Sequence, residues 1–281
     1  MRLLLTGSSG VIGAQVKRLL LELGHEVTCV TRPDSIDPVG IPIYPWTPLQ
    51  GLSDIDAAVH LANFYPRKEL STNTVELFDV NVGLAVSLAS FCGTYGVPVV
   101  SVGSYLECHP KRPWTLYTES KIMSRKVFRA SAVQFDFSHL HLYVYDTYGF
   151  DLRRGKFIDT LLSWNSLDPI VASNAKHLQD LTFVEDVAHA ICKGVELVTQ
   201  SETIHQDRQV RSHEVLSLKQ VVELVNAYSP RKIDVHWNAD QQRSPAILNL
   251  WDCDSLLEGW KPTMSIDTFI GEWFKGNSFK V

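Results

Sequence analysis

MRLLLTGSSGVIG, residues 1–13, decides how this chain is read. A short apolar run, Leu3 to Leu5, ends in Thr6-Gly7, and Gly7, Gly10 and Gly13 follow at three-residue intervals. Val16, Leu19, Leu20 and Leu23 then recur with helical spacing. The pattern is a buried strand, a tight glycine turn and a helix whose N-terminus faces the turn. Backbone N–H groups in such a turn come close to a pyrophosphate, and the helix dipole favours its charge. Glycines also serve ordinary loops, so the spacing by itself is weak. The strand before it and the helix after it make a dinucleotide site the expectation, lined by Gly7, Ser9, Gly10, Val11 and Ile12.

Beyond the turn, apolar strands alternate with amphipathic helices. Strands are expected at 26–30, 57–61, 98–102 and 139–145, and helices at 11–23, 75–95 and 118–131. Such alternation predicts an α/β fold, a doubly wound, Rossmann-type parallel sheet with helices on both faces. Ligands of these sheets lie beyond the carboxyl ends of the strands, where the glycine turn sits. From about Asp151 the rhythm loosens around Arg153, Arg154, Gly155 and Lys156. The expected organisation is a dinucleotide-binding domain over 1–150, to which the chain returns near 180–200. Most of 151–281 then forms a smaller C-terminal α/β substrate lobe.

The 281 residues carry a net charge of −5 without a basic stripe, so neither nucleic acid nor an anionic membrane is an expected partner. Cys29, Cys92, Cys108, Cys192 and Cys253 are odd in number, scattered and never paired as CxxC. That spacing speaks for a reducing compartment and against a disulfide framework or a zinc site, and no metal is expected. No basic leader precedes the first strand, and no apolar stretch reads as long enough to span a bilayer; the cytoplasm is the expected location.

The end of the second strand bears on which dinucleotide binds. An acidic residue there accepts hydrogen bonds from the adenosine ribose of NAD(H). This chain reads Val30-Thr31-Arg32-Pro33. A carboxylate repels a 2′-phosphate, whereas threonine and arginine bind one. NADP(H) is therefore expected over NAD(H), through Thr31 and Arg32, although Arg32 also reads as a plain surface arginine and Asp34 lies close by.

Tyr117-Thr118-Glu119-Ser120-Lys121 carries the second chemical signal. Residues four apart share a helix face, so phenol and ammonium point the same way. A free tyrosine titrates near pH ~10 and is a poor acid at neutrality; a neighbouring cation stabilises the phenolate and brings it toward working pH. The bland alternative is an exposed helix pair.

Taken in order, TGSSGVIG (6–13), DAAVHLAN (56–63), the helix carrying Asn81, SVGSY (101–105), YTESK (117–121), YDTYG (145–149), KFI (156–158), DLTFVEDV (180–187) and GWKP (259–262) carry a family resemblance over nearly the whole chain. The chain resembles the extended short-chain dehydrogenases/reductases, in the NAD(P)-dependent sugar-nucleotide epimerase/dehydratase group. Within it, SVGSYLE, KFI and DLTFVEDV look most similar to the reductases that make dideoxy sugars, the CDP-abequose and CDP-paratose synthases.

The resemblance implies a hydroxyl–Tyr–Lys site, with Tyr117 as proton donor or acceptor and Lys121 on the nicotinamide ribose. The hydroxyl position of many members falls on Val102, flanked by Ser101 and Ser104. Ser104 is favoured because its turn carries it past the strand end, while Ser101 also reads as a buried strand serine. Leu61, Ala62 and Asn63 would line the cofactor's path, and Asn81 would brace a helix against the site. Lys156, Phe157 and Arg243 would hold a nucleotide-diphosphate sugar, although Lys156 also reads as a solvated lysine and Arg208 and Arg231 are further candidates for the diphosphate. The group's dehydratases carry an Asp-Glu pair after the hydroxyl, where this chain has Gly103-Ser104, so dehydration is not expected. The expected activity is NADPH-dependent reduction of a keto group on a nucleotide-linked deoxysugar. The alternatives are an epimerase that retains its NAD(P), a non-catalytic NADP-binding regulator, and a reductase of a small carbonyl metabolite like the flavonoid-type reductases. The resemblance also implies a homodimer formed through helices 75–95 and 118–131. His60 is expected in the core, Asp186 as the cap of a helix starting at Val187, and the late tryptophans as packing residues.

Overall fold

A computed structural model describes residues 1–31, 40–52, 54–65, 74–110, 115–200, 202–238 and 246–277. The chain divides into two compact units: 1–144 with 187–210 and 252–260, and 145–186 with 211–251 and 261–281. The first unit opens with β1 (Arg2–Thr6), α1 (Val11–Glu22), β2 (Glu26–Thr31), a two-residue β3 (Ile41–Pro42) and β4 (Ala57–His60). It continues through α2 (Thr74–Phe78), α3 (Leu84–Tyr95), β5 (Val99–Ser104), α4 (Leu116–Phe135) and β6 (His139–Val144). A π-helical turn at Asp79–Gly83 joins α2 to α3, and a 3-10 turn at Tyr105–Cys108 follows β5. The second unit begins with β7 (Asp146–Tyr148), α5 (Phe157–Ser163), β8 (Ile170–Ala172) and β9 (Leu178–Phe183). Helix α6 (Val184–Val198) leads back to the first unit and its last strand, β10 (His205–Val210). The second unit then adds β11 (Val215–Ser217), α7 (Leu218–Tyr228), β12 (Val235–Trp237) and α8 (Ile266–Asn277).

The expected doubly wound sheet is present. Seven strands lie in the order β10-β6-β5-β4-β1-β2-β3, and every neighbouring pair is parallel. The chain winds outward from β1 through β2 and β3, then returns to place β4 on the other side of β1. This reversal puts the glycine turn after β1 at the switch point, where such sheets bind ligands. β10, which the sequence pattern did not single out, closes the far edge.

Strand periodicity explains both cores. Leu3 and Leu5 face one side with Val16, Leu19 and Leu20 of α1 and Val187, Ile191 and Val195 of α6. Leu4 faces the other, with Leu84, Ala85 and Leu88 of α3 and Phe128 and Ala132 of α4. Leu3, Leu4 and Leu5 are all fully buried, each contributing roughly 1.5–3 kcal/mol of burial.

One sequence expectation needs correction. Thr74–Tyr95 is by length and composition long and apolar enough to cross a membrane, and about 67% of its most apolar window is buried inside the protein. Its apolarity comes from packing on the sheet through Leu84, Leu88, Phe91 and Cys92, so an inward-facing helix accounts for it.

The second unit holds a three-stranded sheet, β11-β9-β7, and a two-stranded one, β12-β8. Its interior is aromatic: Tyr148, Phe150 and Phe183 surround Phe269 with ring centroids 4.9 to 5.9 Å away. A buried ion pair, Arg211 to Asp180 at 2.6 Å, crosses it, with the guanidinium carbon 5.0 Å from the centroid of the Tyr145 ring.

Candidate active site

The glycine turn is built by exclusion of side chains. Gly7 has φ +74°, and a Cβ there would lie 2.6 Å from the Leu61 carbonyl carbon and 2.7 Å from the Ala62 nitrogen. A Cβ at Gly13 would lie 2.0 Å from the Gly7 oxygen, so α1 sits directly on the turn. The Gly10 amide donates to the Gly7 carbonyl at 3.1 Å. Gly10 also occupies the N-cap of α1 and brings no capping side chain. The turn thus offers an exposed Ser9 and Gly10 and the half-buried Val11 and Ile12 around a helix N-terminus. Such a cradle fits a pyrophosphate.

Thr6 ties this turn to β4. Its Oγ1 accepts from the Leu61 and Ala62 amides, each at 3.1 Å, so its one proton goes to His60 Nδ1 at 3.0 Å. His60 is accordingly a neutral core histidine protonated at Nε2. Burial, with Lys121 and His141 adding to it, lowers its pKa from 6.5 to about 3. Below pH 6.5 the unfolded chain takes up a proton here that the folded chain refuses, so stability is full above that pH and lost as pH falls. His60 alone is expected to remove about 1.4 kcal/mol per pH unit between pH ~6 and ~4. Urea unfolding at a series of pH values checks this, and a flat stability over that window contradicts it.

Leu61 and Ala62 are half-buried beyond β4, and Asn63 is exposed. Thr31 ends β2 with its side chain against Gly40, where a Cβ would lie 2.3 Å from Thr31 Cγ2. Arg32 lies outside the described residues, as does Arg243.

Helix α4 sets out Tyr117 and Lys121, the pair expected to handle the proton. Thr115 caps it by accepting from the Thr118 amide at 3.1 Å, which places Tyr117 in the first turn and Lys121 one turn on. Tyr117 is half-buried, its ring edge-on to Tyr65 at 4.8 Å between centroids. Lys121 is buried, and its Nζ donates to the Val102 carbonyl at 2.8 Å. Ser104 closes β5 half-buried, with its Oγ accepting from the Leu106 amide at 3.3 Å. Ser101 is buried and bonded at 2.8 Å to both His139 Nε2 and His141 Nδ1. Since the strands run parallel, the end of β5 and the glycine turn lie on the same edge of the sheet.

Asn81, in the π-helical turn, joins two segments of this edge. Its Oδ1 accepts from the Phe64 amide at 2.7 Å, and its Nδ2 donates to the Phe64 carbonyl at 3.0 Å and to Ser120 Oγ at 2.9 Å. Asn81→Ala strips the half-buried Phe64 peptide groups and the buried Ser120 hydroxyl of a partner. It is expected to cost about 3 kcal/mol of stability, read as a fall in the urea midpoint; a loss below about 1 kcal/mol contradicts the brace.

A polar layer between the sheet and α4 escaped the sequence reading. Glu107, fully buried in the 3-10 turn, accepts from the Ser104 amide at 2.8 Å. Asp207 on β10 receives Arg125 at 2.9 Å and the Tyr143 hydroxyl at 3.0 Å, and Arg129 as well. The legible trace was HLHLYV, in which His139, His141 and Tyr143 alternate with apolar residues inside a central strand. Polar residues at every second position there announce a buried network.

In the second unit, Lys156 starts α5 with its Nζ 3.4 Å from Asp146 Oδ1. Burial lowers its pKa to about 8, with Asp146 offsetting part of the effect and Arg154 adding to it. Phe157 lies 6.1 Å from Trp237, ring to ring. Trp237 also lines a groove of about 580 Å³ with Lys176 and Lys219. Trp260 packs on the first unit's core, and Trp273 stacks on Phe150 at 6.2 Å. Asp186 does not cap its helix, which begins at Val184. Its carboxylate instead accepts from the amides of Thr263 and Met264, at 3.0 and 3.1 Å. Among the described residues no three His, Cys, Asp or Glu side chains gather as a metal site.

The sequence pattern described as the NAD dependent epimerase/dehydratase family matches residues 3–205. The chain belongs to that family. It is thus an enzyme of the NAD-dependent extended short-chain dehydrogenase/reductase type, and a nicotinamide dinucleotide is its cofactor. Over 95% of its length it is 22% identical to a CDP-abequose synthase of Salmonella muenchen, covering 94% of that protein. Its fold matches UDP-glucuronic acid 4-epimerase from Bacillus cereus, solved with a fluorinated UDP-glucuronic acid and NAD. That similarity has a TM-score of 0.81 at 15% identity, over 98% of this chain and 99% of the other. It also matches MoeE5 bound to UDP-glucuronic acid and NAD, with a TM-score of 0.78 at 20% identity over 99% and 100% of the two chains.

Proposed function

We propose that this family member reduces a keto group on a nucleotide-linked deoxysugar, with NADPH as the reductant. The observation that supports hydride chemistry at this site is the placement of Lys121. Its ammonium is held on the Val102 carbonyl, one turn along α4 from Tyr117 and beside the β5 end that presents Ser104. A bound nicotinamide supplies the hydride. Tyr117 gives its proton to the alkoxide that forms. Lys121 holds the nicotinamide ribose and stabilises the phenolate left behind, so that a phenol works near neutral pH. Ser104 donates a hydrogen bond to the reacting oxygen, where charge develops. The amides around Gly7, Ser9, Gly10, Val11 and Ile12 take the pyrophosphate, with Leu61, Ala62 and Asn63 along the cofactor's path. Lys156, Phe157 and Arg243 are assigned to the nucleotide sugar.

NADP(H) over NAD(H) rests on Thr31-Arg32 in place of an acidic residue, whereas the two solved relatives above hold NAD. An epimerase that retains its cofactor is the second reading, favoured by the fold's likeness to a sugar-nucleotide 4-epimerase. The same three side chains serve both. A homodimer through α3 and α4 accords with the exposed Tyr95, Met123 and Val133 on those helices. Five free cysteines accord with the cytoplasm.

The test is a matched titration of NADPH and NADH, followed by nucleotide-linked 4-keto-6-deoxy sugars with absorbance read at the nicotinamide band. Tighter NADPH binding and oxidation by one sugar nucleotide are expected. Preference for NADH overturns the argument from Thr31 and Arg32. Binding without oxidation on any sugar favours the epimerase.

A further inference from the structure

Two side chains of opposite charge grip one strand end. Lys121 Nζ holds the Val102 carbonyl and Glu107 Oε1 holds the Ser104 amide, each at 2.8 Å. Gly103 stands between them, where a Cβ would lie 2.0 Å from Glu107 Oε1 and 2.4 Å from His141 Nε2. A side chain at that position would expel the carboxylate. Glu107 Oε2 lies 3.4 Å from His141 Nε2 and 3.5 Å from Arg125 Nε. Behind it runs the chain from His141 through Ser101 to His139. Burial first, then the charges of His141 and Arg129, hold His139 well below the ordinary histidine range. Ser101 donates to one ring nitrogen and accepts from the other, and His141 Nε2 faces the Glu107 carboxylate.

A buried carboxylate is a costly way to attach a helix to a sheet, since an apolar layer of equal volume does so as well or better. What the carboxylate adds is charge and direction at Ser104 and Lys121. We propose that Glu107 is a positioning residue for this site: it fixes the Ser104 peptide from beneath and balances the Lys121 ammonium across the same strand end. This rests on reading Ser104 and Lys121 as site residues. Burial drives Lys121 toward its neutral form and Glu107 opposes it. Burial also acts against the Glu107 carboxylate, yet His141, Lys121 and the Ser104 amide outweigh it and hold the group below the usual range. The other charged or titratable groups here are His60 on β4, facing Lys121, Arg125 on α4, Tyr143 on β6 and Asp207 on β10. Cys108 lies on the turn itself.

Glu107→Gln keeps an oxygen for the Ser104 amide and removes the charge. Side-chain NMR of lysine, with the Lys121 signal identified by its loss in Lys121→Arg, reads the result without turnover. The Lys121 midpoint is expected to fall by about one pH unit, a tenfold change in its proton affinity, and the alkaline limb of kcat/KM moves with it. Glu107→Asp, which retains the charge, keeps the wild-type midpoint. An unchanged midpoint in Glu107→Gln overturns the proposal. Should that variant not fold, carbon NMR of the wild-type Glu107 carboxyl decides: ionised at neutral pH supports the role, and protonated there overturns it. A wild type inactive on every keto sugar, with the Lys121 midpoint still governed by Glu107, defeats the reductase reading and leaves the positioning role standing.

Discussion

Replacing Tyr117 by phenylalanine is expected to lower turnover by about 10³-fold, the usual contribution of a positioned acid, with NADPH affinity changed less than about threefold. The two effects separate because only the hydroxyl is lost. The ring stays edge-on to Tyr65, the Thr115 cap of α4 is untouched, and Lys121 keeps its hold on Val102. A variant with full activity removes Tyr117 from the chemistry. A variant that loses NADPH binding equally assigns the hydroxyl to the cofactor rather than to the proton.

Gly13→Ala is expected to have the largest effect on cofactor binding. Its added methyl meets the Gly7 carbonyl oxygen at 2.0 Å and the Gly7 carbonyl carbon at 2.8 Å. Both are backbone atoms, so no rotamer change relieves the clash. Either α1 moves off the turn or the turn opens, and in both cases the amides lose their common aim. Overpacking of this kind costs about 1–3 kcal/mol of stability. Affinity is expected to fall more steeply, by about 100-fold or beyond, because several amides depend on one geometry. Gly276→Ala, where a Cβ would meet nothing within 4 Å, serves as the control. Fluorescence titration with NADPH, beside thermal melting, separates the two losses. Wild-type affinity in a folded Gly13→Ala protein contradicts the proposed cradle.

What was legible in the sequence was what local spacing encodes. The turn announces itself because its constraints lie within thirteen residues, Gly7 needing a positive φ and Gly13 needing contact with Gly7. Tyr117 and Lys121 are legible for the same reason, being one turn apart on one helix. The strands β2, β4, β5 and β6 were read to within a few residues because each is a short apolar run. β10 was missed because HQDRQV carries Asp207 and Arg208 and has no apolar run of its own. Its place is fixed by pairing with β6 from His205↔His139 to Val210↔Val144, a long-range fact. Glu107 is hidden similarly: nothing near YLEC shows that His141 will stand opposite Ser101. Asp186 was misplaced because its partners, Thr263 and Met264, lie 77 and 78 residues away. The helix expected over 75–95 is continuous from Thr74 to Tyr95, and its apolarity reflects packing on the sheet.

The measurement that bears most directly on the account is transfer of deuterium from NADPH carrying deuterium at both nicotinamide C4 positions. The labelled cofactor is mixed with a nucleotide-linked 4-keto-6-deoxy sugar, and the product is read by mass spectrometry and proton NMR. The account predicts one deuterium on the new carbinol carbon per NADP⁺ formed, with Tyr117→Phe forming both about 10³-fold more slowly. A stereoisomerised sugar nucleotide without net oxidation of added NADPH would contradict it and make the chain an epimerase.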